Sequence, residues 1–449
     1  MQPRPTKGIG RSGSPASPAG VLASIVALTL LAALMLAACG GGSGPTITPS
    51  ATHTATIPAV TPTTPTEITV AATGEEHPAM LRANPERTGV YPSGGPTRRP
   101  KLLWTFKTTS VAGMEFISSP VIAEGVAYVG SGDGRLYAVD VQSGHLKWRF
   151  KTGDWVRCPA VSNEVVYVGS HDGSLYALHA KSGREKWEFR TWDAIFSSPA
   201  VSHGVVYVGS EDGALYALDA ASGEKRWEFH TDAEISSSPA VSDGVVYIGS
   251  HDGSLYALDA QSGRPKWEFK AGGPVSTEAA IAGDVVYVGS DDGHLHAVDI
   301  RSGQEKWRFD AHGTLTIPAG RFDVHCFVTS PAVAGGTAYV GSDDGYVYAV
   351  DVQNGVEKWK FWAGRGYDGV QSSPVLSGAV VYFGSGAPHR ALHALDATSG
   401  RELWAFPAGG VVDDSPAISD GVVYFTDLAY GPEYGSDSPL VRGRLYAVK

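Results

Sequence analysis

The sequence predicts an all-β fold, an eight-bladed β-propeller of four-stranded blades closed by an N-terminal strand. Three observations predict it. A unit typified by Ser237 to Phe269 is copied along the chain, with apolar and small or polar residues alternating at strand period. A tryptophan recurs near the end of each copy, at Trp104, Trp148, Trp187, Trp227, Trp267, Trp307, Trp359 and Trp404. The two ends of the repeat region are complementary fragments: Leu102 to Phe106 is a fourth strand without predecessors, and Leu445 to Lys449 is a third strand without a successor.

Within the typical unit, Pro239 to Val241 forms the first strand and Val245 to Gly249 the second. Leu255 to Asp259 forms the third and Lys266 to Phe269 the fourth. Between them stand Asp243-Gly244, Asp252-Gly253 and Ser262-Gly263, the residues that tight hairpin turns demand. Such a sheet has two apolar faces and cannot bury them alone, so copies must stack. Pairing the two chain ends in one blade would hide two sheet edges at once and bring the count to eight.

The totals agree. With 449 residues, 43% of them hydrophobic, the chain can bury a large core, and 56 Gly with 19 Tyr suit a turn-rich β protein. A net charge of -11 argues against nucleic acid as partner, because a phosphate backbone wants a basic face. Only three cysteines occur and none forms a C-x-x-C motif, which excludes a disulfide framework. Cys158 and Cys326 fall in blades two and six, across the ring from each other, so no bond between them is expected.

The first 38 residues read as an address. Arg4, Lys7 and Arg11 precede an uncharged apolar run from Val21 to Ala38. The following Leu36-Ala37-Ala38-Cys39-Gly40 resembles the lipobox of bacterial lipoproteins, which implies diacylglycerol on Cys39 and cleavage before it. A transmembrane anchor is the competing reading, since the run is nearly long enough to span. Residues 39–76 are rich in Thr, Pro, Ser and Gly and read as a disordered tether. Residues 77–100 form a lead-in, and 101–449 the propeller.

Seven copies carry the pattern seen at Ala217, Asp219, Gly223 and Trp227, with His179 replacing the Asp in one of them. In this pattern the chain resembles the pyrroloquinoline-quinone (PQQ) repeat family, whose eight-bladed propellers dock tryptophans between blades. The resemblance covers residues 101–449 and makes the eight indoles structural. Physically, the Ala leaves room for an indole, the Gly lets the chain reverse, and the Asp can accept hydrogen bonds from turn amides.

Spacing separates two faces of the disc. The first-strand residue leads the second-strand Tyr by eight positions, as from Pro239 to Tyr247. The third-strand aromatic leads the Trp by eleven, as from Tyr256 to Trp267. The other two links vary. Trp to the next first strand is usually twelve, but 24 from Trp307 to Pro331, 15 from Trp359 to Pro374 and 16 from Trp104 to Pro120. Second-strand Tyr to third-strand aromatic is usually nine, but 11 from Tyr382 to His393 and 22 from Tyr424 to Tyr446. In an up-and-down blade both variable links lie on one face, and loops on a rigid scaffold are where binding is placed.

That face would carry Trp155, Arg157, Trp192, Arg321, His325, Trp362, Arg365, Tyr367, Asp368, Asp413, Asp414, Tyr430 and Tyr434, aromatic and charged types that anchor interfaces. Asp154, Asp193 and Glu234, with Asp368, Asp413 and Asp414, could instead ring the channel mouth and attract calcium. His171 and His251 occupy matching Ser-His-Asp-Gly hairpins and read as surface turn residues rather than a metal pair. No catalytic constellation emerges. The expectation is an envelope-anchored, non-catalytic, monomeric propeller that binds a protein or small ligand through its long-loop face and the membrane through lipid on Cys39. One alternative is suggested by resemblance to the outer-membrane assembly factor BamB family. Another is a PQQ-dependent dehydrogenase holding PQQ and calcium. It is disfavoured because the chain lacks the adjacent cysteines that such enzymes commonly carry.

Overall fold

The computed structural model describes residues 78–108, 117–311, 328–364, 370–386, 388–429 and 442–449. Among them stand eight antiparallel four-stranded sheets, seven built of consecutive strands, and one of these seven gains a fifth, parallel strand. No helix among the described residues is long and apolar enough to cross a membrane. Blade one begins at Val121, and blade three shows the common pattern: Ala200–Ser202, Val205–Gly209, Ala214–Asp219 and Lys225–His230. Its register sets Tyr207 opposite Ala217 and Ala217 opposite Trp227, so the small Ala lies between two aromatic rings.

Burial falls off from the second and third strands to the fourth. Val206, Leu215 and Leu218 are wholly enclosed, whereas Lys225 to His230 alternates between exposed and half-buried. The middle strands meet a neighbouring blade on each side, so each enclosed Val or Leu contributes about 1.5–3 kcal/mol. The outermost strand is covered less, and its period-2 pattern records that.

Each indole joins two blades. Trp227 donates Nε1–H to the Ala260 carbonyl of the next blade at 3.0 Å and lies on Gly263. A Cβ on Gly263 would meet that ring at 2.6 Å, and its φ of +69° favours glycine as well. The same bond runs from Trp104 to Val141, Trp148 to Ala180, Trp187 to Ala220, Trp267 to Ile300, Trp307 to Val352 and Trp359 to Ala397. Trp404 has no such turn ahead of it, because the third and fourth strands of blade eight come from opposite ends of the chain. It donates instead to the Pro96 carbonyl at 2.9 Å. In blade eight, Leu102–Lys107 lies antiparallel to Arg442–Val448, with Trp104 opposite Ala447.

The lead-in is far more than an approach to the first blade. Ala79 bridges Val161 of blade two, the Pro85 carbonyl accepts from Val241 of blade four, and Glu86 from Ile281 of blade five. Thr88 and Gly89 accept from Val333 and Leu376, and Val90–Tyr91 then runs parallel to the first strand of blade seven. The segment therefore threads the central channel as a plug. Its Arg82 and Arg87 are buried there, and both hydrogen-bond to carbonyls at the start of first strands. Desolvation lowers both guanidinium pKa values to about 10, so both stay charged at neutral pH.

Candidate functional site: the channel mouth

Strand direction fixes which loops share a face. Links between blades and second-to-third turns lie together: Val156 bridges Ser170, and Val411 bridges Leu428. First strands begin at this face. The plug fills the channel behind it, and what remains is a cavity of about 480 Å³ floored by Leu81 and opening among the loops. On the opposite face, Pro78 lies among the first hairpins, beside Ser162 and Gly204.

In seven of the eight blades the cavity is lined by one or both of the two residues that precede the first-strand Pro (Ala279 in blade five). The common pair is Ser-Ser, and the first hydroxyl accepts from a second-strand glycine amide, as Ser237 Oγ does from Gly249 at 3.0 Å. The second joins neighbouring blades: Ser198 N–H donates to Ser238 Oγ at 3.0 Å, and Ser238 Oγ donates to Glu278 at 3.1 Å. Four positions in this ring depart from hydroxyl residues, namely Arg157, Cys158, Glu278 and Asp414, and all four line the cavity. Three of these departures, Arg157, Glu278 and Asp414, bring ionisable groups to the mouth beside Glu211 and Asp413.

Burial pushes the Asp414 carboxyl up to about 7, with adjacent Asp413 adding to the effect and Arg157 opposing it. Ser119 Oγ donates to Asp414 at 3.3 Å. Burial pushes the Cys158 thiol up to about 11, so it is not a thiolate at neutral pH. Arg157 stacks over Phe196 at 4.6 Å and donates Nε–H to His171 at 3.1 Å. Burial first, and Arg157 second, hold the His171 imidazole neutral, its pKa lowered to about 4. Glu211 also lines the mouth, and its Oε1 has no hydrogen-bond partner among the described residues.

Of the residues expected on this face, Arg157, Asp413 and Asp414 come together in the cavity, and Trp155 lies beside it against His171, ring centroids 5.1 Å apart. Trp192 stands apart at 92% exposure, and its backbone N–H donates to Asp212. Trp362 is 49% exposed and packs edge-on against His389, away from the mouth. Arg321, His325, Cys326, Arg365, Tyr367, Asp368, Tyr430, Tyr434 and Cys39 lie outside the described residues.

One expectation needs correction. Asp154, Asp193 and Glu234 do not ring the mouth: they are exposed, and the two aspartates accept from the next residue's amide in their own turns. The acids of the mouth are Glu211, Glu278, Asp413 and Asp414. His171 and His251 do lie in turns, half-buried, and each has a side-chain partner. His171 stacks on Phe196 at 3.9 Å, and His251 lies 2.7 Å from Ser236 Oγ. Glu278 and Cys158 were legible as departures from the repeat consensus, a signal that spacing alone did not use, whereas Glu211 occupies a turn position that varies from blade to blade.

A ring of Trp-docked blades around a plugged channel, with one charged mouth on the variable face, defines the class: a repeat β-propeller. A family model described as outer membrane protein assembly factor BamB matches residues 98–195, 190–314, 272–388 and 359–442. The chain belongs to that PQQ-repeat family. No curated protein matches it. Among solved structures it is similar to quinohemoprotein alcohol dehydrogenase from Comamonas testosteroni (TM-score 0.65, 18% identity, 82% of this chain and 80% of that one). It is also similar to BamB from Moraxella catarrhalis (0.59, 16%, 78% and 100%) and to the computationally designed Ika8 protein (0.60, 19%, 74% and 96%). At these identities the likeness is one of fold, and function has to be argued from the site.

Proposed function

We propose that this chain is an envelope-anchored, non-catalytic propeller that binds a protein partner or ligand at its loop-face mouth. One observation carries the reading: the plug fills the channel, so the remaining cavity opens on the variable face with four carboxylates and Arg157 around it. A preformed pocket with a few convergent polar groups is the usual form of a binding site. Trp155 and Phe196 beside it are the types that anchor interfaces. Family membership favours an outer-membrane assembly partner. The chain enters the described fold at Pro78, on the short-hairpin face.

The quinone-enzyme reading fits the residues poorly. PQQ is a tricarboxylate, and among the described residues the mouth sets Glu211, Glu278, Asp413 and Asp414 against the guanidinium of Arg157. Arg82 and Arg87 are committed to backbone carbonyls behind it. Two measurements test the proposal. Crosslinking from intact envelopes with the full chain as bait is expected to recover β-barrel assembly components from wild type and to lose them with Arg157→Ala. Equal recovery from both would refute the mouth as the contact. Quinone absorbance retained after mixing with PQQ and Ca²⁺ would overturn the non-catalytic reading.

A further inference from the structure

In blades one to six the second-to-third turn carries an aspartate whose carboxylate caps the turn and meets an aromatic residue four positions on. Asp212 accepts from Tyr216 Oη at 2.8 Å, and Asp252 from Tyr256 at 2.7 Å. Blade five departs from this pattern twice. His296 stands where the tyrosine does, packed edge-on against Phe269 at 5.2 Å as Tyr256 packs against Phe229. His294, two residues earlier on the same strand, stands where blades three and four have Ala214 and Ser254.

We infer that Asp292, His294 and His296 form a binding site for a divalent transition metal of the zinc class. Strand residues i and i+2 share a face, so both imidazoles are directed at one carboxylate. His296 Nε2 lies 3.1 Å from Asp292 Oδ2, and His294 Nδ1 lies 3.2 Å from Asp292 Oδ1. Three such donor atoms lie within 4.8 Å of one another. Zinc held at 2.0–2.1 Å in a tetrahedron spaces its ligands by about 3.3 Å, so little movement is required. The fourth position is left open.

The surroundings are those of a ligand set. His296 Nδ1 is 2.7 Å from Glu305 Oε1, the carboxylate–histidine arrangement that orients an imidazole toward a metal. Asp292 is itself fixed by the amides of His294 at 3.0 Å and of Gly272, from the preceding blade, at 2.9 Å. His296 is almost fully enclosed and His294 half-buried, which leaves an approach from the loop face. Substituting His for Tyr would by itself explain His296 as a hydrogen-bond partner of Asp292. It does not explain a second imidazole on the same carboxylate. The His294 Nδ1 also lies 3.1 Å from the Asp292 carbonyl, a contact that rotation of the ring onto a metal gives up.

The test uses the full chain, stripped with chelator and titrated with Zn²⁺, and with Co²⁺ as a spectroscopic probe. The expected result is one equivalent bound, with a d–d band of tetrahedral intensity for Co²⁺. His294→Ala and His296→Tyr should each weaken Zn²⁺ binding at least tenfold, and Glu305→Gln by about tenfold as a positioning residue. His296→Tyr restores the residue of the neighbouring blades, so folding is expected to survive, and unchanged circular dichroism checks it. Zn²⁺ affinity within about twofold of wild type in both histidine variants, or Co²⁺ bound without tetrahedral bands, would overturn the assignment.

Discussion

Arg87 donates its Nε–H to the carbonyl oxygen of Pro239 at 2.7 Å, linking residues 152 positions apart in the sequence. The same guanidinium reaches Leu81, Ser198 and Pro199, so one side chain holds the plug to blades three and four. Arg87→Met leaves these carbonyls buried without a donor, and an unpaired buried polar group costs about 1–3 kcal/mol. The expected loss is at least about 3 kcal/mol in urea-induced unfolding, with Arg98→Ala, an exposed arginine, as a near-neutral control.

Two glycines with similar backbone separate conformational cost from crowding. Gly244 has φ +72° with open space where a Cβ would stand, whereas Gly263 has φ +69° with Trp227 in the way. Gly244→Ala should cost about 1–2 kcal/mol, the left-handed penalty alone. Gly263→Ala should cost at least twice that, because the indole must leave its seat on the next blade. Chemical denaturation of the two variants reads the difference directly.

Stability should depend on pH through Asp414. In the unfolded chain this carboxyl loses its proton near pH 4, while in the fold it holds it until about 7. Between these values the folded state binds more protons, so stability falls as pH rises and the full penalty stands above 7. Asp414→Asn removes the charge. It is expected to gain roughly 1–3 kcal/mol over wild type at pH 8 and little at pH 4, as read from melting curves at both.

Blade two lacks a turn cap that its neighbours have. Asp219 Oδ1 accepts from the amides of Ala221 and Ser222, both at 3.0 Å, and the exposed His179 stands at that position. His179→Asp should raise the melting midpoint by about 1–2 °C, a consensus gain of the usual small size. A lower midpoint would show that the imidazole has a role of its own.

How much of this was legible depends on whether a residue's partners repeat. The blades, the Trp–Gly docking and the constant and variable links recur, so periodicity exposes them. The plug does not recur. Arg82 and Arg87 bind main-chain carbonyls, and a carbonyl has no residue identity by which a sequence could announce it. The mouth falls between these cases. Trp155 and Arg157 stood out on a link between blades, but Glu278 and Cys158 sit at regular positions and show only against the Ser-Ser-Pro consensus. Asp154 and Asp193 carry the same charge as Asp414, yet they face solvent because each is used by its own turn.

The plug also sets an order of events in synthesis. Ser198 follows Arg87 by 111 residues, and Ser330 follows Arg82 by 248, so both arginines leave the ribosome well before the oxygens that will hold them. Individual hairpins can close early from local contacts, but these cations must stay hydrated until distant strands arrive. Maturation is then limited by long-range encounter, the slow regime for a chain whose contacts are far apart in sequence. The axle is made first, and the wheel is assembled around it.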